Sequence, residues 1–133
     1  MNRDKNNLID ELRFAFNWAE HEYKILYENY PKPFITCVYR TKEEQNLLYK
    51  KKPKVTNAKG GQSPHNYLPC LAFDICFIHK NGLLSWEIKY FEIFADLIKK
   101  HSSNIVWGGD WVKFKDYPHF EIKNWKNYID ANK

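Results

Sequence analysis

The sequence predicts an α+β fold, a small and mostly antiparallel sheet with helices packed on it, and three observations carry that expectation. Two segments repeat apolar residues at helical spacing, with charged residues between them. Short runs rich in β-branched and aromatic residues lie between and after those segments. Asn81-Gly82, a strong hairpin signal, joins two extended runs and demands antiparallel pairing. At 133 residues the chain can hold one domain with a real core but not two comfortable ones, so a single domain over 1–133 is expected.

The elements follow in order. Leu8, Leu12, Ala15, Ala19, Tyr23, Leu26 and Tyr30 step by threes and fours, which predicts an amphipathic scaffold helix over about 7–30, ended by Pro31 and Pro33. Phe34 to Tyr39 reads as a buried strand with Arg40 at its end. Thr41 stands three residues before Glu44, a capping box that opens a short helix through Tyr49. Lys50 to Gln62 is polar, with Pro53 and Gly60-Gly61, and reads as a loop able to border a groove. Leu71 to Ile78 is a strand that turns back at Leu83-Leu84. Trp86, Tyr90, Phe94, Leu97 and Ile98 mark a second amphipathic helix ending near His101. Ile105 to Trp107 is a further strand, Gly108-Gly109 turns into an extended Trp111 to Phe114, and Phe120 to Ile122 completes the sheet.

Hydrophobic residues make up 44% of the chain and aromatics 17%, so the mean hydropathy of -0.69 reflects a polar surface rather than disorder. The net charge of +5 favours polyanionic surroundings. No nucleic-acid motif accompanies it, and the run Lys50-Lys51-Lys52-Pro53-Lys54 reads as a solvated face. Cys37, Cys70 and Cys76 are odd in number and lack CxxC spacing, which points away from a disulfide framework and towards a reducing compartment. The first twenty residues contain no apolar run of signal-peptide or membrane length. The expectation is a cytoplasmic monomer with no signal peptide and no stable membrane insertion.

Chemistry concentrates in two places. Ser63-Pro64-His65 closes the polar loop, and Asp74 lies inside the apolar strand LAFDICFI, where a carboxylate is costly unless paired or metal-bound. Asp116-Tyr117-Pro118-His119 supplies a second imidazole and a second carboxylate. His65, Asp74 and His119 form an N, O, N donor set of the kind that holds catalytic zinc and leaves one position for water, whose pKa falls to roughly 7. Asp116 is the candidate base, although a regular strand would point it away from His119. A kink at Pro118 would bring the two together. Cys70 and Cys76 raise a deaminase-like alternative, but Tyr67 stands where that class needs its Glu and Phe73 where it needs its second cysteine. His21, His79 and His101 read as surface residues.

The blocks YRTKEEQNLLY, GGQSPHNY, LAFDI, WGGDW and DYPHFE resemble, in order and spacing, the zinc peptidases that include D-alanyl-D-alanine carboxypeptidases and phage L-alanyl-D-glutamate endopeptidases, a VanY-like group. The resemblance runs from about Phe34 to Ile122 and leaves the N-terminal helix outside it. It implies a Hedgehog and D,D-peptidase type of fold and a single zinc ion held by His65, Asp74 and His119. Asp116 takes the place of the catalytic base, and Arg40 that of the group that polarises the scissile carbonyl. Ser63, Gln45, Trp107 and Asp110 match positions near the site, and Glu121 would orient His119 from outside the metal sphere. Leu68-Pro69-Cys70 replaces a single Gly of the commoner family form, which puts the rim of the pocket in doubt.

Asp rather than Glu three residues before His119 is similar to the phage endopeptidases. The resemblance therefore implies a phage or prophage endolysin that hydrolyses peptidoglycan stem peptides at the L-Ala to D-Glu bond and reaches the wall once a holin opens the membrane. A D-alanyl-D-alanine carboxypeptidase and a catalytically silent zinc-containing wall-binding module are the alternatives, separated by muropeptide products and by the presence of Asp116.

Overall fold

The computed structural model describes residues 1–130. Helix α1 (Asp10–Leu26) places Leu12, Ala15, Phe16, Ala19 and Tyr23 on its buried face. Its end is fixed where the Tyr23 hydroxyl donates to the Pro31 carbonyl at 2.7 Å, immediately before strand β1 (Lys32–Cys37). Thr41 caps α2 (Lys42–Tyr49) through the reciprocal bonds with Glu44 that the sequence predicts. The polar loop follows, then one 3-10 turn (Pro64–Asn66), strand β2 (Ala72–Ile78) and the short return strand β3 (Leu84–Ser85). Gly82 turns that hairpin at φ 88°, in the left-handed region where glycine is at ease. Helix α3 (Ile88–His101), β4 (Ile105–Trp107), β5 (His119–Ile122) and α4 (Lys126–Asp130) complete the order.

The sheet runs β1-β2-β5-β4 with β3 against β2, and every pairing is antiparallel. Alternation along β2 and β5 divides the molecule. Phe73, Ile75, Phe77, Phe120 and Ile122 belong to the core under α1 and α3, with Phe73 and Phe120 stacked at 5.2 Å. Asp74, His119 and Glu121 fall on the opposite side of the strands, where no long helix covers them. Helix α1 is tied to the segment after α3 by Glu11, which accepts from the Ser102 hydroxyl at 2.7 Å and the Asn104 amide at 3.1 Å.

The segment expected to be an extended Trp111 to Phe114 is instead part of a loop between β4 and β5. Its apolar alternation faces solvent, with Val112 93% and Phe114 81% exposed. The reason lies at the base of the loop. Gly108 packs so closely on Asp116 that any side chain there would run into the Asp116 carbonyl, and the Asp116 amide donates to the Gly108 carbonyl at 3.1 Å. Pinching these two residues together forces the chain between them outward. β5 is also already paired on both sides, by β2 and β4.

Candidate metal centre

Strand register sets out the centre. Asp74 on β2 is the direct partner of His119 on β5 and of Cys37 on β1, so the three side chains form a row across the sheet. His65 is added from the 3-10 turn above, which Ser63 caps by accepting from the His65 amide at 3.2 Å. Asn66 holds that turn on three sides. Its side-chain oxygen accepts from the amides of Gly61 (3.1 Å) and Ser63 (3.2 Å), and its NH2 donates to the Arg40 carbonyl at 2.9 Å.

Each imidazole has one nitrogen committed and one presented. His65 Nδ1 lies 2.6 Å from the Val38 carbonyl, which can only accept, so this nitrogen carries the proton and Nε2 is left facing Asp74 Oδ1 at 3.3 Å. His119 sits between two carboxylates, with Nε2 2.7 Å from Glu121 Oε1 and Nδ1 2.9 Å from Asp74 Oδ1. A neutral imidazole has a single N–H and cannot satisfy both. Either the ring is protonated or a cation takes the place of the proton between Nδ1 and Asp74. Burial alone would push His119 down, yet the bonds to Asp74 and Glu121 raise it to about 9. His65, also opposed by burial, is held well above its ordinary value by the Asp74 charge. Burial would raise Asp74, but His65 and His119 hold it far below the usual carboxylate range.

The donor set is also one that could hold a divalent cation in place of the two protons. Of the two nitrogen-to-oxygen distances, 3.3 Å matches the roughly 3.3 Å between neighbouring ligands of a tetrahedral zinc ion, and 2.9 Å is shorter, the length of a charge-assisted hydrogen bond. Two neutral imidazoles and a carboxylate are also a donor set that zinc takes. Cys37 competes for the same position, since its sulfur, His65 and Asp74 offer ligand atoms within 4.8 Å of one another. The nitrogen it approaches is His65 Nδ1 at 3.8 Å, already given to Val38, whereas His119 Nδ1 faces Asp74 at 2.9 Å. The sequence reading weighed Cys70 and Cys76 and passed over Cys37. Cys70 donates to the Val38 carbonyl at 3.1 Å and Cys76 to the Ser85 carbonyl at 3.5 Å.

An open cavity of about 800 Å³ lies over the centre, lined by His65, Asp74, His119, Arg40, Asp116 and Trp111 among others. Arg40 reaches within 4.0 Å of Asp74 Oδ2. It is steered by the buried Gln45, which accepts from it at 2.8 Å and donates to the Ala58 carbonyl at 2.8 Å. Asp116 stands on the cavity wall in the turn before β5, where the His119 amide donates to its carbonyl at 3.2 Å. The turn, rather than a kink within a strand, brings it to the same cavity as His119. Partial desolvation there raises its pKa above the ordinary carboxylate value, against the pull of His119.

Trp107 and Asp110 are not brought into the cavity lining. The Trp107 indole donates to the Tyr117 carbonyl at 2.7 Å and so props the turn that carries Asp116. Asp110 pairs with Lys99 at 2.6 Å. Leu68-Pro69-Cys70 turns away from the ligands. Cys70 bonds through its amide to the Asn7 carbonyl (2.7 Å) and through its carbonyl to the Ile9 amide (3.0 Å), and Leu68 is exposed.

Comparison with known proteins agrees with this geometry. The family model described as D-alanyl-D-alanine carboxypeptidase matches residues 56–122, which contain His65, Asp74, Asp116, His119 and Glu121. The peptidoglycan L-alanyl-D-glutamate endopeptidase CwlK of Bacillus subtilis is 38% identical over 103 residues, 66% of this chain. The match spans 59% of that relative's length. Among solved structures, the Serratia marcescens L-Ala D-Glu endopeptidase ChiX superposes with a TM-score of 0.68 at 21% identity, over 93% of this chain and 86% of that one. The L,D-carboxypeptidase DacB from Streptococcus pneumonia gives 0.52 at 21% identity, over 98% and 77%. These two likenesses carry the fold, whereas the family match, covering just over half of the chain, carries the assignment. With its helices on one side of an antiparallel sheet and its imidazoles and carboxylates gathered on the other, the chain belongs to the D-alanyl-D-alanine carboxypeptidase family of peptidases.

Proposed function

We propose that the chain is a zinc-dependent peptidoglycan hydrolase that cuts the stem peptide between L-Ala and D-Glu, acting as a phage or prophage endolysin. The observation that carries the reading is His119 held between two carboxylates, an arrangement that a cation at Nδ1 would satisfy in place of the ring's second proton. The likeness to CwlK supports the choice of bond. The Asp at 116, in the resemblance to phage enzymes, supports the endolysin role. Among the described residues no helix is long and apolar enough to cross a membrane.

His65 Nε2, Asp74 Oδ1 and His119 Nδ1 would hold the zinc. When bound, zinc supplies Lewis acidity, lowering the pKa of water to roughly 7 and polarising a carbonyl. The protein's own groups do the rest. Asp116, raised by desolvation and facing the same cavity, accepts the proton of the attacking water and returns it to the leaving amine. Arg40, locked by Gln45, presents its guanidinium to the oxygen on which charge develops. Glu121 holds the His119 Nε2 proton and so keeps Nδ1 free for the metal. Lys54 and Lys115 line the cavity and favour the carboxylates of a stem peptide.

The test is metal content measured beside turbidity clearing of permeabilised cells, with and without a chelator, followed by mass analysis of muropeptides. A single zinc per chain, chelator-sensitive clearing and release of stems cut after L-Ala are the expected results. Loss of only a terminal D-Ala would instead make the chain a carboxypeptidase, the activity in the family's description. Zinc without any product would leave a silent wall-binding module.

A further inference from the structure

The charge of the chain is gathered in one place. Of its 21 basic and 16 acidic residues, five lysines and no acidic residue fall within 45–62, which leaves 16 of each sign elsewhere, so the whole excess of +5 belongs to α2 and the loop after it. Lys50, Lys51, Lys52, Lys54 and Lys59 are all exposed. Among the described residues none of them makes an ion pair or a side-chain hydrogen bond; Lys54 and Lys59 lie over the Tyr49 ring, 4.9 and 5.3 Å from its centre. At the other end of α2, Glu44 is already taken by the Thr41 amide and the N-terminal amine. The carbonyl end of α2 accounts for a lysine at its C-cap, Lys50, and not for the other four. Like charges held this close repel one another, and a polyanion relieves that repulsion. Lys54 to Ala58 of the same loop line the cavity over the candidate centre, whereas Lys50, Lys51 and Lys52 lie outside its lining, so a peptide seated in the cavity leaves them without a partner.

We infer that 50–59 is a docking surface for a linear polyanion of phosphodiester-linked repeats carried on the wall, which holds the mouth of the cavity against the stem peptides. The inference rests on the peptidoglycan reading above and adds a partner to it. All five cations are lysines and none is arginine, so the surface offers point charges on flexible stems rather than the rigid fork that reads a fixed geometry. Such a surface suits a mobile polymer. A single strand of nucleic acid would need free aromatic faces for its bases, and Tyr49 is already occupied by Lys54 and Lys59. A bilayer would need an apolar face to enter it, and Val55 is the one large apolar side chain of 50–59.

The test measures co-sedimentation of the full chain with purified sacculi across a salt series, with brief incubation on ice so that the wall stays intact. Native binding should fall as salt rises. Lys50→Gln, Lys51→Gln and Lys52→Gln together should weaken it about tenfold or more at low salt, since each lysine near an anionic surface strengthens binding severalfold. Sacculi stripped of phosphodiesters with hydrofluoric acid should hold the native chain as weakly as untreated ones hold that variant. Lys80→Gln, Lys100→Gln and Lys123→Gln, which remove the same charge from exposed positions elsewhere, should leave binding close to native. Both triple variants should cut a short soluble stem peptide at the native rate. Should the loop variant fail to fold, competition by soluble poly(glycerol phosphate) on the native chain gives the same answer. Equal losses in the two triple variants, full binding to stripped sacculi or no competition by the polymer each overturn the proposal. Tighter binding to duplex DNA or to anionic vesicles than to sacculi overturns it in favour of another partner. A chain that docks through the loop yet releases no product on warming with zinc sustains the docking surface and sinks only the hydrolase reading.

Discussion

The floor and the rim of the cavity are built on opposite principles. On the floor, His65, Asp74 and His119 are each held by at least two partners, and the strands that carry them are anchored by Phe73 and Phe120 on the reverse face. On the rim, Val112 and Phe114 stand almost fully exposed, and Phe114 occupies φ 54°, a left-handed conformation uncommon for a bulky residue. Preorganisation is thus spent where chemistry needs fixed geometry. The rim instead keeps apolar side chains in water beside the opening, where a large ligand would cover them.

The comparison breaks most visibly on the floor. Replacing Asp74 with Asn, or His119 with Ala, should empty the metal site and abolish wall clearing, while circular dichroism shows the fold retained because the core lies on the other face; a variant that keeps its zinc and activity would exclude the residue from the ligand set. Asp116→Asn should keep the metal and lower the rate by about 10²–10⁴-fold, read as kcat on a muropeptide. Glu121→Gln should weaken metal affinity by about 10–100-fold in chelator competition, with a smaller effect on rate at saturating zinc.

Acidity tests the same floor without a mutation. In the metal-free protein His119 is raised from 6.5 to about 9, so the stability it contributes is complete below pH 6.5 and is lost as the pH rises through about 9. Thermal melts of the metal-free chain should therefore decline across that window. The zinc-loaded chain should not, since the metal replaces the titrating proton. The smallest effect belongs to the rim. Phe114→Gly relieves the left-handed backbone by about 1 kcal/mol, raising Tm by a few degrees. It should also raise KM for intact wall more than for a short soluble stem peptide, and an equal fold-increase for the two would deny the rim a part in binding.

Much of this was legible from residue types alone. A carboxylate inside LAFDICFI has few explanations besides a paired or metal-bound one, and the Thr41 to Glu44 capping box fixes where Arg40 leaves its strand. Alternation misled at Trp111 to Phe114, because a period of two describes side chains and says nothing of whether a partner strand is free to receive them. Cys37 escaped for the complementary reason. Its facing depends on one unpaired residue in β1, which no pattern of apolar and polar positions announces. Trp107 and Asp110 lie in a motif block near the site, yet act through Tyr117 and Lys99, and sequence proximity does not separate such support from contact with the cavity.

The three bonds of Asn66 have a consequence for how such a fold diversifies. They fasten the chain at Gly61, Ser63 and Arg40, and Asn46 accepts from the Gly60 amide at 2.7 Å, so four hydrogen bonds stand between 51–57 and His65. That stretch behaves as an exchangeable cassette between two rivets. Loops of other lengths and charges can be spliced in there while the cluster of imidazoles and carboxylates beneath stays the same.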